Sequence, residues 1–233
     1  MLNMIRSVAA MLLLTATVSV AQAAPPAHQA RYTVEKSGMT LGEMQVNLAY
    51  AGSRYTYLKQ TKATGLAAMI SGDTLTERSA GTRQGEVLHS TTYLYHHKSK
   101  RKDRRDQYSF TSPTQVSGSF EGRHYQLTVP NGTLDPALLE LRLMANLAAN
   151  RPLNYTISER GKVKNYRFQR LGKQSVSVPA GSFQAEVVQM TRDNGERQTT
   201  IWLAPELNYA IVKIRHNEKG DIIESKLESY QAR

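Results

Sequence analysis

Asp135-Pro136-Ala137-Leu138-Leu139-Glu140-Leu141-Arg142-Leu143-Met144-Ala145-Asn146-Leu147-Ala148-Ala149-Asn150 is the one long stretch of this 233-residue chain that does not read as a strand. Asp135 is an N-cap residue, and Pro136 suits the first helical position, where no N–H is needed. The pattern predicts a helix over 136–150, ended by Arg151-Pro152. Leu138, Leu139, Leu141, Leu143, Met144 and Leu147 surround most of its circumference, and only Glu140, Arg142 and Asn146 are strongly polar. A helix that is apolar nearly all round has to be buried.

On both sides of this helix the dominant signal has period two. Tyr125, Leu127 and Val129 oppose His124, Gln126 and Thr128; Thr200, Trp202 and Ala204 oppose Thr199, Ile201 and Leu203; Ala210, Val212 and Ile214 oppose Ile211, Lys213 and Arg215. Such alternation belongs to antiparallel strands with one buried and one wet face. Gly38 with Gly42, Gly81 with Gly85, Asp193-Asn194-Gly195 and Glu218-Lys219-Gly220 read as turns between hairpin strands. Gly65-Leu66-Ala67-Ala68-Met69-Ile70 reads as a short helix or as a loop with its apolar side chains turned inward. Together these features predict a mainly β chain: a strongly curved antiparallel sheet, half-barrel or barrel-like, whose concave face is covered by the helix over 136–150. A two-sheet sandwich with the helix capping one end is the alternative.

The N-terminus carries Arg6, an apolar run over 8–20 and the triplet Ala21-Gln22-Ala23. This is the layout of a cleavable leader over 1–23, with an apolar core shorter than the roughly 20 residues needed to span a bilayer. The expected product is a single β-rich domain over 24–233 in a Gram-negative periplasm. The chain has no Cys, which excludes disulfides, a thiol nucleophile, a Cys-ligated metal and a lipidated Cys, so no lipoprotein is expected.

No nucleophile elbow, zinc-protease helix, phosphate-binding loop or dinucleotide fingerprint occurs, and the six His lack ligand spacing, so no enzyme, metal or cofactor is expected. Ser99-Lys100-Arg101-Lys102 matches S-x-x-K but falls in a basic turn. The 30 Lys and Arg exceed the 19 Asp and Glu, giving +11. Much of that excess sits in His96-His97-Lys98-Ser99-Lys100-Arg101-Lys102-Asp103-Arg104-Arg105-Asp106, between strands expected over 87–95 and 107–110. Lys98, Lys100, Arg101, Lys102, Arg104 and Arg105 are candidates for an anionic surface, against the plainer reading of a solvated hairpin tip. Tyr93, Tyr95 and Tyr108 flank this run without entering it, which argues against nucleic acid. Tyr55 with Tyr57, and Tyr93 with Tyr95, share strand faces and suit a half-wet cavity wall, although ordinary strand propensity also favours Tyr. With Leu141, Met144 and Trp202, expected to pack on the helix, they are the ligand-cavity candidates.

Leu134-Asp135-Pro136 opening an apolar helix, Val178-Pro179-Ala180-Gly181-Ser182-Phe183 leading into a strand, and Trp202-Leu203-Ala204 are together similar to the exported bacterial family called domain of unknown function 3108, over about 128–230. Ala210 stands where members of that family often carry Pro. The resemblance implies no activity and no catalytic residues. More distantly it implies the curved half-barrel of periplasmic lipoprotein carriers, which hold acyl chains in the concavity. Two readings of function follow: a binder of a lipid or other amphiphile, and an envelope protein whose basic hairpin over 98–105 meets anionic headgroups or an acidic partner. A hydrolase lacks positive residue evidence.

Overall fold

The computed structural model describes residues 23–233, so the expected leader, apart from Ala23, lies outside the described residues. The first meander comprises β1 (His28–Lys36), β2 (Met39–Ala51), β3 (Arg54–Ala63), β4 (Thr74–Gln84), β5 (Val87–Lys98), β6 (Asp103–Ser112), β7 (Gln115–Phe120) and β8 (Arg123–Thr128). A short helix, α1 (Gly65–Ile70), joins β3 to β4. Helix α2 (Pro136–Ala148) and the hairpin β9 (Asn154–Glu159) and β10 (Lys162–Arg167) follow. The second meander is β11 (Gln169–Val178), β12 (Gly181–Arg192), β13 (Arg197–Ala204), β14 (Ala210–Glu218) and β15 (Asp221–Ala232).

Both meanders form one thirteen-stranded antiparallel sheet, ordered from β11 to β15 and then from β1 to β8. Pairing of the two terminal strands makes the seam, with Ala30 opposite Tyr230. One continuous curved sheet replaces the sandwich alternative. It is not closed, and β8 and β11 are its free edges. These edges are consecutive members of the sheet in the chain, so the segment between them has to pass from one margin of the sheet to the other. That segment carries α2 and the β9–β10 hairpin, which fill the space the sheet curves around. Leu134 bridges to Ile157, and the Tyr108 hydroxyl donates to the Ser158 carbonyl at 2.6 Å, tying the hairpin to both the helix entry and the sheet.

The local chemistry of α2 follows the sequence. Asp135 Oδ1 accepts from the Leu138 N–H at 2.7 Å, and Pro136 occupies the first turn. The helix stops two residues short of the predicted end, where Asn150 takes a positive φ of 49°. Ala137, Leu138, Leu141, Leu143, Met144 and Leu147 are all buried, and they belong to one core with residues from both meanders. The three polar residues also find partners: Arg142 donates to the Leu88 carbonyl, Asn146 to the Pro152 carbonyl and the Tyr155 hydroxyl, and Glu140 enters the ionic cluster described below.

Two glycines read as turn markers lie inside strands instead. A Cβ on Gly42 in β2 would sit 2.3 Å from the Lys62 carbonyl oxygen, and one on Gly81 in β4 would sit 1.9 Å from that of His89. Both are places where a neighbouring strand approaches too closely for a side chain, and Gly81 adjoins a bulge in the β4–β5 pairing. Of the two readings of residues 65–70, a short helix or a loop, the helix is the one formed, as α1. None of its six residues is buried.

Leu143 is fully enclosed. Leu143→Ala is expected to lower unfolding free energy by about 2–5 kcal/mol through lost transfer energy and the cavity left behind, measured by urea titration of the single-Trp fluorescence.

Candidate functional site

Beneath α2 the interior is polar at its centre and closed. Tyr55, Tyr57 and Lys59 alternate on the inner face of β3, and Glu77 and Ser79 do so on β4. Lys59 Nζ donates to Glu77 Oε2 at 2.8 Å and to Glu140 Oε1 of α2 at 2.5 Å. The second oxygens accept from tyrosines, Glu77 Oε1 from Tyr93 at 2.7 Å and Glu140 Oε2 from Tyr57 at 2.9 Å. A parallel chain joins the Tyr55 hydroxyl, Ser79 and Asp135, where the Ser79 Oγ donates to Oδ2 at 2.6 Å. Burial disfavours the charge on Lys59, but Glu140 and Glu77 outweigh it and hold the ammonium above the ordinary lysine range. Burial likewise pushes the Tyr57 and Tyr93 hydroxyls up, reinforced by the carboxylates they face.

This cluster is an anchor for the helix, not a site with room for a substrate. The cavity between Met144, Glu140, Tyr57, Tyr32 and His28 measures only about 10 Å³. Tyr55, Tyr57, Tyr93, Leu141 and Met144 belong to one packed, buried core. Trp202 is not among them. It lies on the other face of β13 from Ile201 and Leu203, under the Lys213 ammonium, 5.1 Å from the ring centroid, with its Nε1 donating to Gln174. Its alternation partners, Thr200 and Gln198, and its cross-strand partner Val187 share that outer surface. The expectation that it packs on α2 therefore fails, because alternation gives the inner face to Ile201 and Leu203.

A large apolar pocket lies at one rim of the sheet. The end of β1, the start of β2, the end of β3, the start of β4 and the end of β5 meet there, and α1 lies across β2 and β3. They surround a pocket of about 750 Å³ walled by Val34, Leu41, Leu66, Ala67, Ile70, Leu75 and Tyr95, with Lys62, Asp73 and His97 as polar members. Tyr95 is the one earlier cavity candidate that lines it. A volume of this size falls within the ordinary range for small-molecule sites. Met39, Leu66, Met69 and Ile70 stand 66%, 71%, 73% and 69% exposed around it.

The basic hairpin forms the adjacent edge. Its strands run further than expected, so that Lys98 ends β5, Arg104 and Arg105 lie in β6, and only Ser99, Lys100, Arg101 and Lys102 make the turn. The Ser99 Oγ accepts from the N–H groups of Arg101 and Lys102 at 3.2 and 3.1 Å, a turn-closing role. Lys100 reaches over to α1: its Nζ donates to the Met69 carbonyl at 2.6 Å and its N–H to that of Ser71 at 3.0 Å. The two histidines point apart, His96 to Asp103 and His97 to Asp73. Arg104 pairs with Glu121, whereas Lys98, Lys100, Arg101, Lys102 and Arg105 make no ion pair among the described residues. Among these residues no three His, Asp or Glu side chains converge as a metal site.

The family model described as protein of unknown function (DUF3108) matches residues 29–227. The chain belongs to that family. The DUF3108 match extends well into the first meander, beyond the stretch whose motifs are visible by eye. No curated protein matches the DUF3108 chain. Among solved structures it is similar to a β-barrel-like protein of the domain of unknown function DUF1849 from Brucella abortus, at 13% identity, with 91% of this chain and 99% of that one covered and a TM-score of 0.62. A candidate lipoprotein of Parabacteroides distasonis matches at 10% identity over 90% and 97% of the two chains, with a TM-score of 0.38. The Brucella protein shows that the DUF3108 chain has a β-barrel-like fold.

Asp135, fully buried, has its pKa raised from 3.8 to about 6 by burial and by the facing Glu77, against the hydrogen bonds from Ser79 and Leu138. A carboxyl whose native pKa exceeds its unfolded value binds protons more tightly when folded, so its contribution is most favourable below about pH 4 and is lost as pH rises through about 6. Asp135→Asn, which keeps the cap acceptor, is expected to remove a loss of about 3 kcal/mol across that window, checked by urea unfolding at pH 4 and pH 7. Lys59→Met leaves two facing carboxylates without their cation and is expected to cost about 3–5 kcal/mol in the same assay.

Proposed function

We propose that this chain is an exported, non-enzymatic binding protein whose rim pocket takes the apolar part of a lipid or similar amphiphile. The observation that carries the reading is the pocket itself, about 750 Å³ with aliphatic walls and a few polar groups at its margin. Apolar volume of this size accepts a flexible hydrocarbon, and Lys62 and His97 at the margin suit a polar or anionic end. The reading moves the ligand from the concavity under α2, where side chains fill the space, to the rim under α1. Export is supported by the leader pattern of residues 6–23. A non-enzymatic role is supported by the carboxylates of the interior being committed to Lys59, Tyr57, Tyr93 and Ser79.

Protein purified after export is expected to carry lipid in native mass spectrometry and, once stripped with detergent, to bind a fluorescent fatty acid. Ala67→Trp, which fills the pocket from α1, is expected to weaken probe binding by about tenfold or more, equivalent to about 1.4 kcal/mol. Stripped protein that binds no probe, or an Ala67→Trp variant that binds it unchanged, rules the reading out.

A further inference from the structure

The pocket mouth combines two features that a soluble surface has little reason to place together. Four large apolar side chains stand exposed there, Met39, Leu66 and Ile70 at the margin of the pocket they also line and Met69 outside it, and no core residue of α1 compensates for their exposure. Beside them the end of β5 and the turn after it present Lys98, Lys100, Arg101 and Lys102, all exposed and free of ion pairs among the described residues. Asp73, which feels Lys102, and Asp103 offset only part of this charge, so the four cations leave the turn net positive. The contact is physical: the Lys100 ammonium binds the backbone of Met69 itself.

We infer that this edge of the molecule docks on an anionic lipid bilayer, with Met69, Leu66, Ile70 and Met39 entering the acyl boundary and Lys98, Arg101 and Lys102 meeting phosphate headgroups. Charge complementarity selects this occupant. A second copy meeting the patch about a two-fold axis would set the same unpaired cations against each other, whereas an anionic surface satisfies the cations and the apolar tip together. A six-residue helix with no buried side chain and no side-chain N-cap lies outside the core, against β2 and β3 and under Lys100, so it can settle against a surface without unfolding the core. Resting on the pocket reading, docking at this place brings the mouth to the bilayer, so that an amphiphile passes between bilayer and pocket without crossing water.

The test is co-sedimentation of the exported protein with vesicles of phosphatidylethanolamine and phosphatidylglycerol, against vesicles of phosphatidylcholine. Wild type is expected to sediment with the anionic vesicles, less so as salt rises, and to stay in solution with the neutral ones. Lys98→Gln/Arg101→Gln/Lys102→Gln is expected to weaken binding by about a hundredfold, roughly fivefold for each charge. Met69→Glu is expected to weaken it by about tenfold. None of these positions lines the pocket, so fatty-acid binding should be unchanged in both variants, which also reports that they are folded. Equal binding to both vesicle types, or wild-type sedimentation by both variants, overturns the inference. So does a wild-type dimer that Met69→Glu dissociates while no vesicle is bound. Vesicle binding that persists in Ala67→Trp after probe binding is lost supports docking independently of what the pocket holds.

Discussion

Lys59 gathers Glu77 from β4 and Glu140 from α2 around one ammonium, and the placement of the helix follows from that contact. The two carboxylates bring more negative charge into the interior than the lysine cancels. Their remaining oxygens are satisfied by the Tyr57 and Tyr93 hydroxyls. An ion cluster of this kind contributes little net stability compared with a well-packed apolar equivalent, but separating its members is expensive. Sliding or rotating α2 by one position would strand Glu140 among leucines and leave Lys59 with a single partner. The cluster therefore selects one pose for a helix whose nearly uniform apolar surface would otherwise pack in several.

Once α2 is held there, the remaining geometry has few options. The helix and the β9–β10 hairpin span the interval between the two free edges, and they occupy the volume that a half-barrel would leave open. Apolar space survives at the rim, where β1, β3 and β5 end and β2 and β4 begin, and α1 lies over it. A helix this short cannot bury one face and close the pocket with the other. Its side chains consequently line the pocket and project outward together, and the fold acquires a soft apolar margin beside its most basic turn.

The two readings of function drawn from composition, amphiphile binding and anionic-surface contact, are adjacent in the fold. The pocket, Tyr95 apart, does not sit where the aromatic pattern suggested. Of the tyrosines that looked like a cavity wall, Tyr57 and Tyr93 donate to buried acids and Tyr55 pairs with Ser79, a structural use of a ring with a polar tip, and Tyr95 alone lines the pocket. The signal for this was present but unread: Lys59 continues the Tyr55, Tyr57 alternation onto the same face, and an inward-facing Lys requires acidic partners. Glu140, the single acid in α2, is the natural candidate for one of them.

Alternation of apolar and polar residues, the Asp135-Pro136 cap and the Gly and Asn turns are local properties, and they determined the strands, the buried helix and the curved antiparallel class from sequence alone. The exposure of Leu66 and Ile70 at a pocket margin and of Met69 beside it was not readable, because an apolar run of six residues has the same pattern whether it faces a core or solvent. Trp202 shows the same limit at strand level: alternation separates it from Ile201 and Leu203 but does not say which set faces in. Those choices depend on which strands pair across great separations in the chain, as β1 does with β15, and on how much volume α2 leaves unfilled. Only the tertiary structure decides them, since burial is a property of the assembled neighbours and not of the segment.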